Sequence, residues 1–221
     1  DPEPDVEALF MAALTLARMA EGGLFDHIGG GFYRYSVDRY WQIPHFEKML
    51  YDNGPLLAIY AQAAVATGDV LFGQAANATA DWMLADMRDA NGGFYATRDA
   101  DSEGHEGLFY LWDPDEVSEL LGDDYDVFAK RFGLNSDANF EGRWHLTVRE
   151  QVTDDEAAVI AATVARLRPA ARAVLLLELT PLSSAGLPGA GLAVRISVGQ
   201  SGHPAGRPVP RRCGAAPDRS C

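Results

Sequence analysis

His45, Glu47 and Asp52 lie close together at the end of one unusual stretch, Gly22 to Asp52, which reads GGLFDHIGGGFYRYSVDRYWQIPHFEKMLYD. An imidazole and two carboxylates are equipment for moving protons near neutral pH. Glycosidases use paired carboxylates and epimerases use paired acid/base groups, so this trio is the candidate catalytic set. Just upstream, Arg34, Tyr35, Arg39 and Trp41 offer forked donors and flat aromatic faces, the lining expected of a site for a polar, ring-shaped ligand. Gly29, Gly30 and Gly31 permit positive φ and close backbone approach. No helical or strand period runs through the stretch, which therefore reads as a pocket-forming loop. A second account stays open: an interhelical loop packed by its own aromatics, with Arg34 and Arg39 paired to Asp26 and Asp38, and Glu47 serving only as a cap or a partner of Lys48.

The elements that must position these residues are mainly helical. Pro4 to Ala20 carries apolar residues at helical spacing and meets Gly22 just past its end. A second helix is expected from about His45 or Phe46 to Thr67, with the alternative that Asn53 caps a new helix holding Pro55 in its first turn. Asp69 to Asp89 reads as a third. Because only Gly68 and Asp69 separate the second and third helices, the two should be antiparallel neighbours. Gly92–Arg98 and Gly107–Trp112 alternate apolar and polar residues around an acidic loop, the pattern of an inserted β-hairpin. Short helices follow near Pro114–Leu121 and Tyr125–Phe132, Trp144–Val148 reads as a short strand, and Thr153 or Asp154 caps a last helix to about Arg168.

GGGFYRYSVDRYW, PHFEKMLYDN, GGFYATRDADSEGHEGLFYLW and NFEG together resemble the thioredoxin-domain-containing proteins related to spermatogenesis-associated protein 20. The resemblance covers roughly residues 4–168. It implies a mainly α fold, the early arc of an (α/α)6 toroid of the six-hairpin glycosidase or N-acylglucosamine 2-epimerase kind, preceded in the parent protein by a thioredoxin-like domain absent from this chain. It directs attention to Arg34, Tyr35, Trp41, His45, Glu47 and Asp52 without bringing a mechanism. Two functional readings follow. In one, the toroid binds or acts on a sugar or sugar derivative by acid/base chemistry. In the other, it is a non-catalytic or redox-associated module serving the thioredoxin-like domain. Whether the intact parent is an enzyme is left open between them.

Composition narrows the field further. The chain carries a net charge of -14, the sum of -18 over residues 1–168 and +4 over 169–221, and the acidic part would repel nucleic acid and anionic membranes. No apolar run is long enough for a membrane span and no signal-peptide pattern opens the chain, while the acidic, lysine-poor surface suits a salt-rich cytoplasm, the expected location. The 2 cysteines, Cys213 and Cys221, are far from any C-x-x-C arrangement, so thioredoxin chemistry is not expected from this chain. Asp99, Asp101, Glu103 and Gly104 match the opening of an EF-hand loop, but Tyr110 stands where the bidentate carboxylate belongs, so no metal site and no cofactor is expected. All 10 Phe, 8 Tyr and 4 Trp lie at or before Trp144. The last segment, 169–221, is aromatic-free and rich in Gly and Pro, and reads as a disordered tail of frame-shifted or aberrant origin separate from the 1–168 unit.

Overall fold

The computed structural model describes residues 5–102 and 104–178, with side chains described through residue 169. Its architecture is mainly helical. Helix α1 (Val6–Glu21) starts where the Asp5 side chain accepts from the Ala8 N–H, and it buries Leu16 and Ala20 while its first half leaves Val6, Phe10 and Met11 exposed. Helices α2 (Leu50–Thr67) and α3 (Val70–Trp82) form the expected hairpin. Gly68 takes the left-handed conformation that ends α2 (φ 73°), and the Asp69 carboxylate accepts from the Leu71 N–H to begin α3. A π-helical turn, Met83–Met87, extends α3. α1, α2 and α3 share one core around Phe25, Phe32, Tyr60 and Phe72, in which the Tyr60 hydroxyl donates to the Leu16 carbonyl at 2.7 Å.

The second helical group holds α4 (Pro114–Leu121), α5 (Tyr125–Phe132) and α6 (Asp154–Glu178). Pro114 fits the first turn of α4, and the Asp113 carboxylate accepts from the Asp115 and Glu116 N–H groups. Val117, Leu121, Phe128, Phe132 and Leu167 form the core of this group, joined by Ile28 from the glycine-rich stretch. α6 continues past Arg168 through Pro169, so the helix outruns the boundary expected there. The tail expected after that point lies, from residue 179 onward, outside the described residues, as does Glu103 of the acidic loop.

Between the two groups run three two-stranded ribbons, and here the pairing departs from expectation. β1 (Tyr35–Ser36) pairs antiparallel with β2 (Pro44–His45), β3 (Lys48–Met49) with β4 (Thr97–Arg98), and β5 (Asp101–Ser102) with β6 (His105–Glu106). The segments 92–98 and 107–112 do not form one hairpin with each other. Thr97 and Arg98 pair instead with the end of the glycine-rich stretch, and residues 108–110 turn into a 3-10 helix. α2 therefore starts at Leu50, because Lys48 and Met49 are committed to the ribbon. Asn53 is not a cap either: its side chain accepts from the Phe32 N–H (2.7 Å) and donates to the Phe32 carbonyl (2.9 Å), standing in for a strand partner. Trp144 makes a single bridge to Trp112 rather than a strand.

Candidate functional site

Asp26 organises the first half of the stretch. Its carboxylate accepts from the Ile28 and Gly29 N–H groups at 3.0 and 2.8 Å, closing a turn that brings Gly30 and Gly31 against α3. Both glycines have positive φ (84° and 80°), and a Cβ would sit 2.2 Å from the Ala78 carbonyl oxygen at Gly30 and 2.7 Å from the Trp82 ring at Gly31. Gly30 and Gly31 thus serve close packing against a helix, while Gly29 sits against the Asp26 carboxylate.

The other oxygen of Asp26 meets Lys48 Nζ at 2.6 Å, and Lys48 also donates to the Gly30 carbonyl at 2.8 Å. Lys48 is fully buried, with its ammonium 4.8–5.2 Å from the ring centres of Tyr33, Trp82 and Tyr110. Burial would raise the Asp26 carboxyl, but the Lys48 ammonium and the two backbone donors hold it below its ordinary value, so it remains ionised. A cavity beside this pair, lined also by Asp86, Arg98, Trp112 and Arg168, has about 20 Å³ of room, enough for one water. An anchored ion pair with that little space is a fold-holding element. Sequence reading missed it, and its one signal was the scarcity of lysine: Lys48 and Lys130 are the only two.

Successive residues of an extended strand point to opposite sides. Glu47, next to the buried Lys48, accordingly faces the other way. One Glu47 oxygen accepts from Arg34 Nη1 at 2.9 Å and lies 3.7 Å from His45 Nε2, while the other accepts from Thr97 Oγ1 at 3.1 Å. The far nitrogen of His45, Nδ1, lies 2.6 Å from Glu106 Oε1. Because an ionised carboxylate only accepts, that contact fixes the proton on Nδ1 and leaves Nε2 to face Glu47. Tyr35 stacks on the His45 ring with centroids 5.1 Å apart. Asp52 sits at the start of α2, and its Oδ2 is buried without a hydrogen-bond partner. Burial pushes its carboxyl up, Arg34 opposes that and Glu47 adds to it, with a net rise.

Of the seven residues singled out from sequence, Arg34, Tyr35, His45, Glu47 and Asp52 therefore share one corner, joined by Glu106 and Thr97, which sequence reading did not find. Arg39 and Trp41 are elsewhere. Asp38 accepts from the N–H groups of Tyr40, Gln42 and Ile43, folding residues 38–43 into a tight turn that carries both side chains into another groove. That groove, about 320 Å³, is lined by Arg18, Glu21, Arg39, Tyr40, Trp41, Gln42 and Arg149 together with Gly22, Thr147 and Val148. The ion pairs of Arg34 and Arg39 with Asp26 and Asp38 do not form; Arg34 holds Glu47, and Arg39 lies over the Tyr40 ring. Among the described residues there is no group of three His, Cys, Asp or Glu placed to hold a metal ion, and no helix is long and apolar enough to cross a membrane.

No protein-family model matches the chain. It is 38% identical over 168 residues to spermatogenesis-associated protein 20 of Rattus norvegicus, a match covering 64% of this chain and 21% of that protein. The human protein of the same name is 44% identical over 117 residues, covering 50% of this chain and 15% of its own length. An uncharacterized protein of Caenorhabditis elegans is 36% identical over 182 residues, covering 72% of this chain and 25% of its own length. The chain is thus homologous to spermatogenesis-associated protein 20 over part of its length, and it spans a quarter or less of the curated relatives it matches.

Proposed function

We propose, from that homology and the Arg34–Glu47–His45–Asp52 corner, that this chain corresponds to an arc of a helical toroid whose intact protein binds and transforms a sugar or sugar derivative by acid/base chemistry. The observation that carries the reading is Asp52, a carboxyl raised by burial with one oxygen unpartnered, which shares the Glu47 corner with an imidazole held through Nδ1 by Glu106. A raised carboxyl suits the donor of a proton, and an imidazole oriented by a carboxylate is a group able to relay one. Arg34 and Tyr35 supply the donor fork and flat face that would hold the ring. On this reading the intact protein also carries a thioredoxin-like domain and works in the cytoplasm.

One observation favours the competing role, a non-catalytic module serving that thioredoxin-like domain: both Glu47 oxygens are already occupied, by Arg34 and Thr97. A thermal-shift screen of the full-length protein against neutral and phosphorylated sugars separates the two. Acid/base chemistry requires a ligand whose binding or turnover falls in Asp52→Asn and Glu47→Gln while the melting temperature holds. Unchanged ligand response in both variants would establish the non-catalytic role.

A further inference from the structure

The groove that received Arg39 and Trp41 gathers three arginines, Arg18, Arg39 and Arg149. Among the described residues none of the three makes an ion pair, although the chain holds 32 acidic residues against 18 basic ones. Arg39 lies over the Tyr40 ring and Arg149 donates to the Gln42 side chain, so both guanidiniums are oriented by neutral groups that leave their charge uncompensated. The one carboxylate in the lining, Glu21, accepts from the Gln151 side chain at 2.8 Å. In a strongly acidic chain, three guanidiniums without carboxylate partners on one concavity form a local positive focus.

Two further features mark the groove as built. Trp41 has φ 57°, a left-handed conformation that is unfavourable for a bulky side chain and must be held by its surroundings. The Gly23 N–H donates to the Trp41 carbonyl at 2.8 Å, and Gly23 sits so close to Gln42 that a Cβ there would lie 1.8 Å from the Gln42 carbonyl oxygen. The chain thus holds a half-exposed indole beside the arginines at a local conformational cost. The groove volume, about 320 Å³, falls at the small end of the range of small-molecule sites.

We propose that this groove binds a small phosphate monoester, a phosphorylated sugar or similar ring, with the phosphate on the arginines and the ring against Trp41. The lining itself carries three guanidiniums against one carboxylate, and the nearby Asp38 carboxylate is turned onto the Tyr40, Gln42 and Ile43 N–H groups, so the arginines present a positive face suited to the roughly −1.5 to −2 charge of a phosphate monoester. The site is distinct from the Arg34–Glu47 corner and does not depend on the acid/base reading.

The test is titration of the 221-residue chain with glucose 6-phosphate, glucose and inorganic phosphate, followed by calorimetry and by the four tryptophan indole N–H signals. Glucose 6-phosphate should move the Trp41 signal saturably while Trp82, buried beside Lys48, stays still; glucose should move neither. Arg39→Gln should weaken binding roughly tenfold or more, as expected for loss of a charged hydrogen bond, and Arg166→Gln, which removes a guanidinium paired with Asp124 outside the groove, should leave it unchanged. Trp41→Gly keeps all three charges and relieves the backbone, so it should retain or gain stability yet bind more weakly. The proposal fails if glucose 6-phosphate leaves Trp41 unmoved, if glucose moves it equally, or if Arg39→Gln binds as tightly as the parent. Equal affinity for inorganic phosphate would overturn the part assigned to the ring.

Discussion

At the scale of single residues, neighbours in sequence have opposite duties. Glu47 belongs to the open corner and Lys48 to the interior, so their substitutions should fail differently. Arg34→Ala removes an exposed partner of Glu47, and such pairs contribute little to folding. If the proposed sugar site is real, the same change in the intact protein should weaken ligand binding roughly tenfold while barely moving the melting temperature. A large drop in stability with unchanged affinity would assign Arg34 to the fold alone. Lys48→Met, by contrast, strands the Asp26 carboxylate without its ammonium. Breaking a buried ion pair from one side costs about 3–5 kcal/mol, and the double variant Asp26→Asn/Lys48→Met should recover part of it. Urea unfolding of the two single variants and the double one measures this. Equal destabilisation in single and double variants would mean that the rings around Lys48, not the charge pair, hold that position.

At the scale of elements, the glycines of the stretch and those of the helices should respond in opposite directions. Gly54, inside α2, has open space around it, so Gly54→Ala should stabilise by about 0.4–1 kcal/mol. Gly30→Ala must fit a Cβ against the Ala78 backbone at a positive φ, and should lose more than about 1 kcal/mol. Thermal melts of both variants check the pair, and a stabilised Gly30→Ala would mean that the loop does not sit against α3. The same distinction explains what could be read from sequence. α1, α3, α4 and α5 announce themselves because period, caps and terminal glycines are local signals. The clustering of Arg34, His45 and Glu47 is legible for the same reason: β1 and β2 are close in the chain. Glu106 and Thr97 are not legible, since they arrive through pairing between residues 48 and 98 that no turn residue advertises. Arg39 and Trp41 part from the others because one side chain, Asp38, collects three backbone N–H groups, and a run of residue types carries no sign of that.

At the scale of the whole molecule, two enclosed imidazoles sit at the glycine-rich stretch, His145 reaching it from the far end of the chain and His27 packing on Phe132. His27 Nε2 lies 3.1 Å from the Gly22 carbonyl oxygen and His145 Nε2 lies 2.8 Å from that of Gly23, each donating when neutral. Burial, outweighing these hydrogen bonds, lowers each from 6.5 to about 4. The unfolded chain therefore binds more protons than the folded one between pH 6.5 and about 4. Stability should be constant above that window and fall through it on acidification, by at most about 3 kcal/mol for each histidine. Urea midpoints measured across the window check the sign, and His145→Gln should flatten the slope; midpoints independent of pH would contradict neutral burial. The same bond sets an order in time. Gly23 finds its partner 122 residues later, and the Ile28 carbonyl accepts from Arg168 140 residues later. At ribosomal speeds of about 5–20 residues per second, the glycine-rich stretch stays unlatched for roughly ten seconds after it is made. Nascent chains arrested before His145 should accordingly be cut there by protease, and chains arrested after Arg168 has emerged should resist.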